Sequence, residues 1–520
     1  MNTPPAQPSY RLRAIINVLT NWGGFALTAG INFFLSPFVV HQLGTTRYGA
    51  WVLLVSLVGY MGLFDLGVRS AVTKYVATTH ATADHNRASQ IASSSLALFF
   101  LLGLLAFLTS IVLALFVVDR FNIPAELIGT AKIVFVIGGM NVAISLVSGV
   151  PGGIIAGRQR FDLLNGINVG GAVLRATAVV LALSAGGGLV ALALIQLGLT
   201  AAKGTATLWV SRAIYPELKL RLTGWSRTHL SAVGSFGVFS WLIHASTALS
   251  NYSNSAIIAA FIPVGFVTYY AIGSNLIDYT RALVSGISQT VAPMAGALDV
   301  SGQESRLQSL VLSGSRYASL IAIPILATFF LRGDEFIGLW MGPEYKALSG
   351  SVLAALSLAL LIESGCKVST SALMGINRHR ALVPAIGLEA LANVILSIFL
   401  VQRFGVVGVA WGTALPRIAV CGLYIPIYLH RVIGVSLSAY WVGILVRPIV
   451  GIIPFAALTY LVSSRWPASG LAVFFSQVLV ILPAAAVGIW LFGLTKAERS
   501  MIADWAGRML RGINQRRPTK

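Results

Sequence analysis

Charge is what this chain most lacks. Asp and Glu number 16 in 520 residues, Lys and Arg 36, and the four together make up 10%. Soluble domains carry about 25% charged residues, so this surface is built for a solvent other than water. Cysteine is nearly absent. Cys366 and Cys421 both sit in apolar runs and form no CxxC, which excludes a disulfide framework and a thiolate metal site. The 7 histidines are scattered without HExxH or other ligand spacing, so no metal and no cofactor is expected. Large hydrophilic loops are missing too. The longest loop on one side, Leu331 to Ala347, is about 15 residues, which leaves no room for a catalytic domain. The chain is therefore not expected to be an enzyme.

What is present is apolar sequence, 56% of residues, with a formal net charge of +20. The basic residues are spread over many short loops and form no single patch, so they do not read as a nucleic-acid surface. They read as topology signals and as contacts to anionic lipid headgroups. A membrane span needs about 20 apolar residues. About fourteen fit, near 14–40, 46–66, 92–118, 131–154, 164–184, 188–210, 234–261, 265–292, 309–331, 347–373, 381–401, 405–429, 443–463 and 470–493. The first is too long for a signal-peptide core and is expected to be retained. Alternate connections hold most of the Lys and Arg, among them Arg69, Arg87, Arg158, Arg212, Arg306 and Arg378. The other set holds few, including Arg120, Arg332 and Arg403. Short basic loops stay cytoplasmic, so both termini are expected inside.

The chain repeats at an offset of about 220 residues. Gly44-x3-Tyr48-x-Ala50 recurs as Gly265-x3-Tyr269-x-Ala271. Gly157-Arg-Gln-Arg-Phe-Asp corresponds to Gly375-Ile-Asn-Arg-His-Arg, and Gly187-Gly-Leu-Val-Ala to Gly405-Val-Val-Gly-Val. The expected architecture is all-α: an N-terminal six-helix lobe (1–212), a cytoplasmic linker (213–233), a C-terminal six-helix lobe (234–430), two extra transmembrane helices (431–493) and a basic amphipathic tail (494–520). Parallel repeats of this kind place a substrate site between the lobes near the midplane. In the tail, Thr495 and Glu498 have capping-box spacing. Met501, Ile502, Trp505, Met509 and Leu510 share one helical face, opposite Arg508 and Arg511, as in an interfacial helix.

Two blocks, Leu43-Gly-Thr-Thr-Arg-Tyr-Gly-Ala-Trp51 and Phe64-Asp-Leu-Gly-Val-Arg-Ser-Ala-Val-Thr-Lys-Tyr-Val-Ala77, resemble the start of the polysaccharide exporters of the MOP superfamily, the Wzx-type oligosaccharide flippases. Gly157-Arg-Gln-Arg-Phe-Asp-Leu-Leu-Asn165 and Met374-Gly-Ile-Asn-Arg-His-Arg380 resemble that family's loops after spans four and ten. The resemblance covers about residues 10 to 495. It implies translocation of an undecaprenyl-pyrophosphate-linked oligosaccharide across the bacterial inner membrane, for O-antigen, capsule or exopolysaccharide. The partners it implies are that substrate, membrane lipids and a polysaccharide polymerase machinery. The alternatives are a cation-coupled multidrug or small-molecule exporter of the same superfamily, or a membrane polymerase or glycosyltransferase.

An ionisable group near the bilayer centre costs about 2.5–3.5 kcal/mol on insertion scales, so each is a functional candidate. Three acid–base pairs share a helix face: Asp65 with Arg69 at a cytoplasmic end, Asp278 with Arg281, and Glu363 with Lys367. They either neutralise each other or line the path. Arg175, Lys203 and Arg417 have no acid three or four residues away, and Glu389 no base. These charges either bind the pyrophosphate in a cationic cavity or pair with groups on other helices. Arg316 and Arg447, near cytoplasmic ends, are expected to snorkel. Trp51, Tyr60, Trp241, Tyr252, Tyr269, Tyr270, Tyr279 and Trp411 offer faces for sugar stacking, with packing as the plainer role.

Overall fold

A computed structural model describes residues 10–81, 84–221 and 238–504. Those residues are helical almost throughout, with no strand among them. The main helices are α1 (Tyr10–Gly59), α2 (Val68–Ala81), α3 (His85–Phe116), α4 (Ala125–Gly157), α5 (Phe161–Ser184), α6 (Leu189–Ile214), α7 (Val238–Phe261) and α8 (Phe266–Val300). There follow α9 (Glu304–Trp340), α10 (Lys346–Gly375), α11 (Leu382–Ala419), α12 (Ile425–Ile433), α13 (Leu437–Trp441), α14 (Arg447–Arg465) and α15 (Leu471–Gly488). Single π turns lie at Val420–Tyr424, Val442–Val446 and Ile489–Gly493.

Ten stretches of the described residues are long and apolar enough to cross a membrane. Two of these contain a break. Gly44 has φ 75° and ψ 164°, and Gly405 has φ 56° and ψ −139°. Both conformations suit glycine alone, so each break divides a long helix into two of the expected spans. The 50 residues of α1 would otherwise reach about 75 Å, over twice a hydrocarbon core. The seventh and eighth expected spans are α7 and α8. Both are long enough, but they are more polar, with His244, Asn251, Asn254, Asp278 and Arg281 inside them.

Helix α2 was not expected. Its buried residues Val68, Ala71, Val72 and Val76 recur every three or four positions and pack on α3 and α4. On α4, Gly149, Gly153 and Gly157 follow one another at one-turn spacing, and a Cβ at Gly157 would stand 2.9 Å from Val76. A half-apolar helix fails a search for continuous hydropathy, because only one stripe is buried.

The chain divides into two compact units. One comprises the described residues of Met1–Ala271 with Ser397–Val409. The other comprises those of Ile272–Leu396 with Ala410–Lys520. In the second, Ile323 of α9 packs with Ile452 and Phe455 of α14 and with Ile481 and Ala485 of α15. An ion node pins the same helices. Arg332, fully buried, donates to Glu335 (2.7 and 2.9 Å) and to Gln477 (2.7 Å), and its guanidinium lies 4.5 Å from the centre of the Phe474 ring. Arg332 therefore belongs to a helix core, and it is not the loop residue counted in the charge asymmetry. Arg316 does not snorkel either. It is 8% exposed and donates through Nη1 to both oxygens of Glu498 (2.7 and 2.6 Å).

Candidate functional site

In the first unit, α1, α5 and α6 enclose a pocket of about 370 Å³. From α5 it takes Asn168, Gly171, Ala172 and Arg175, spaced three or four apart and so on one face. From α6 it takes Gln196, Leu199, Thr200 and Lys203 in the same rhythm, and from α1 Thr28 and Asn32. Arg175 Nη2 donates to Asn32 Oδ1. A second cavity of about 260 Å³ shares Arg175 and Gln196 and adds Trp51, Gly138 and Asn141. The Asn141 side-chain oxygen is buried and has no hydrogen-bond partner among the described residues. No acid lines either cavity. Two of the three expected deep cations, Arg175 and Lys203, thus share one polar pocket. The neutral residues Asn32, Asn141, Asn168 and Gln196 were missed. Their signal was an amide inside an apolar run, which for Asn168 and Gln196 stands seven residues before a cation on the same helix.

The second unit treats its charges differently. Glu363 of α10 accepts from Arg281 of α8 at 3.0 and 3.3 Å and from Arg417 of α11 at 3.4 Å. Arg417 Nε also donates to Glu389 Oε1 at 2.8 Å, and Arg281 pairs with Asp278. The result is a chain of alternating sign, Asp278, Arg281, Glu363, Arg417 and Glu389, across three helices. Lys367 lies within Coulombic range of Glu363, but its amine forms no ion pair within 4.0 Å among the described residues. The expected Glu363–Lys367 pair is therefore replaced by pairs to other helices. Arg417 reaches Glu363 on α10 and, across the Gly405 break, Glu389 on its own α11. Glu363 and Glu389 are each 8% exposed, so both carboxylates are held out of solvent, Glu363 between two guanidiniums and Glu389 against one.

The remaining candidates stand apart from both. Asp65 and Arg69 are half exposed and loosely paired at 3.7 Å, and the Asp65 carboxylate accepts from the Arg69 backbone N–H at 3.3 Å, at the start of α2. Of the candidate aromatics, Trp51 lines a cationic cavity. Trp241 Nε1 donates to the Leu63 carbonyl (2.9 Å), Tyr252 packs edge-on to Tyr60, and the buried Tyr270 hydroxyl accepts from Asn254 (2.7 Å). The capping box is formed: Glu498 accepts from the Thr495 N–H (2.7 Å), and Thr495 Oγ1 accepts from the Glu498 N–H (3.3 Å). Met501 is exposed, while Trp505, Met509 and Leu510 of the expected apolar face and Arg508 and Arg511 opposite it lie outside the described residues, as do linker residues 222–233.

A family model described as "Polysaccharide biosynthesis protein" matches residues 43–350. The chain belongs to that family. It is similar to the "Probable low-salt glycan biosynthesis flippase Agl15" of Haloferax volcanii, 22% identical over 202 residues. That match takes in 38% of this chain and only 40% of that protein. The "Probable flippase AglR" of the same organism is 22% identical over 393 residues, 73% of this chain and 76% of that one. Among solved structures, "Lipid II flippase MurJ, inward closed conformation" aligns with TM-score 0.69 and 13% identity, covering 92% of this chain and 98% of that one. The membership places this chain among polysaccharide biosynthesis proteins, and the structural likeness gives it the fold of that flippase.

Proposed function

We propose that this member of the polysaccharide biosynthesis family is a flippase. It moves an oligosaccharide linked to undecaprenyl pyrophosphate across the plasma membrane, for O-antigen, capsule or exopolysaccharide assembly. One observation carries the reading: Arg175 and Lys203 share a pocket whose other lining is amide, hydroxyl or apolar, without an acid. A diphosphate entering a low-dielectric region needs compensating charge, and Arg presents a planar fork to phosphate. Asn168, Gln196 and Thr200 suit the hydroxyls of the first sugar. The oxygen of Asn141 needs a donor, and the Trp51 ring offers a stacking face.

The ion chain of the second unit is compensated internally and does not compete for the anion. A cation-coupled exporter of positively charged drugs would favour acid where this pocket has none, so that alternative is the weaker one. In this reading the chain does no chemistry on its substrate and works beside a polymerase. Both termini face the cytoplasm, which cysteine labelling with an impermeant reagent tests: Gly187→Cys should react from outside and Asp162→Cys should not.

The decisive experiment neutralises the pocket. Arg175→Gln and Lys203→Gln should each lower polymer export about tenfold or more, since a hydrogen bond to a charged group contributes about 1.5–3 kcal/mol. Abundance and thermal stability should hold. Arg175→Lys should restore part of the export. Full export after neutralising both would sink the reading.

A further inference from the structure

We propose that Gly171 is a positioning residue that holds the Lys203 ammonium in the anion pocket beside Arg175. The inference rests on the proposed flippase function and names the position that sets how many charges the pocket presents. Gly171 is on α5 and Lys203 on α6. A Cβ built at Gly171 would overlap Lys203 Cε, 3.0 Å from Nζ and 3.2 Å from Cδ. The end of the lysine side chain therefore lies across bare backbone. Arg175 follows Gly171 by one helical turn on the same pocket-facing side.

The plain alternative is that Gly171 only lets two helices approach. The contacts speak against it. The three nearest atoms to the built Cβ all belong to the Lys203 side chain, and none is backbone. Elsewhere the helices do meet through backbone, as at Gly375 against Ala292. The seat also runs against what a free lysine does. Arg175 and Lys203 are close enough to repel each other, and no acid lines the pocket. A flexible ammonium so placed would turn away toward water. The groove left by the missing side chain at 171 holds it next to the second cation. Two adjacent positive charges match two adjacent negative ones, a diphosphate before a monophosphate. An alanine at 171 would push only the flexible end of a lysine, so the helices should stay in place.

The test uses the purified full-length protein and pyridoxal 5′-phosphate, an anionic aldehyde. Its carbonyl carbon bonds to the lysine nitrogen with loss of water, and borohydride supplies hydride to fix the imine as a stable amine. Peptide mass spectrometry reads the adduct at Lys203, with Lys132 and Lys346 as controls. In the wild type Lys203 should be labelled, and inorganic pyrophosphate should protect it better than inorganic phosphate. Gly171→Ala should lower both labelling and protection at Lys203 at least fivefold and leave the controls alone. In cells Gly171→Ala should lower export, with no further loss when Lys203 is already Met. Labelling that depends on Gly171 but is not protected by any phosphate supports the positioning and overturns the diphosphate reading instead. An unlabelled wild-type Lys203 overturns the proposal. So does Gly171→Ala labelled and protected like wild type, or an added loss of export in the Lys203→Met background. If Gly171→Ala accumulates poorly, recovery in the double variant with Lys203→Met supports the contact. Poor accumulation of both overturns it.

Discussion

Replacing Glu498 with Ala should release the helix that begins at Thr495. Glu498 does two things at once. Its carboxylate accepts from the Thr495 N–H and hydroxyl (2.7 and 2.8 Å), closing the capping box, and both oxygens receive Arg316 Nη1. Arg316 Nε donates in turn to the Gly443 carbonyl (3.3 Å), within the π turn Val442–Val446. Arg316 and Glu498 are each 8% exposed, so the variant strands a buried guanidinium. Removing one partner of such a pair costs about 3–5 kcal/mol, and the lost cap adds about 1 kcal/mol. Even about 3 kcal/mol shifts local opening more than a hundredfold, and hydrogen exchange of amides 495–504 reads that directly. A double variant, Arg316→Met with Glu498→Leu, should recover most of the protection, because no charge is left without a partner.

The same pair sets a pH response. Burial works against the charge of Glu498, but hydrogen bonds from Thr495 and the Arg316 guanidinium outweigh it and hold the carboxyl below its ordinary value of 4.5. A depressed carboxyl stabilises above that ordinary value and stops doing so as pH falls through the lower, folded one. Protection should therefore be flat from pH 7 to about 5 and decline below 4.5. Glu498→Gln should flatten the decline. Unchanged exchange at 495–504 in Glu498→Ala would refute the clamp.

Two further outcomes follow from the geometry. Gly44→Ala should destabilise by roughly 1–3 kcal/mol, because a Cβ there meets no atom within 4 Å and the penalty is conformational alone. Gly30→Ala, also in open space but in ordinary helix, serves as the control, and equal thermal stability of both variants would contradict the break at Gly44. Glu363→Gln should cost about 1–3 kcal/mol, since Arg281 and Arg417 lose their shared acid but keep Asp278 and Glu389. A thermal scan of the purified protein checks this, and an unchanged midpoint would show that the network does not support the second unit.

Much of the fold is legible in the amino-acid sequence. Scarce charge and long apolar runs leave a lipid-solvated helical bundle as the arrangement that hides every backbone amide. The helix breaks at Gly44 and Gly405 fall where the sequence separates its spans, and the Thr495–Glu498 box is local enough to be seen in four residues. Helix α2 escapes such a reading because its buried stripe is only half of its surface. The charges divide along the same line. Neighbours on one helix suggest Glu363 with Lys367 and leave Arg417 and Glu389 alone, whereas the folded chain joins Arg417 to Glu389 and Glu363. Arg316 and Arg332 read as surface cations and are core residues.

Sequence by itself determined the solvent and the helices, because hydropathy and turn chemistry act within one segment, and the resemblance of a few loop motifs pointed to the family. Which cation meets an acid, and which shares a pocket with another cation over a bare glycine, was decided only when separate helices came into contact. Those pairings depend on distances of about 3 Å between residues tens to hundreds of positions apart, and no spacing along the chain encodes them.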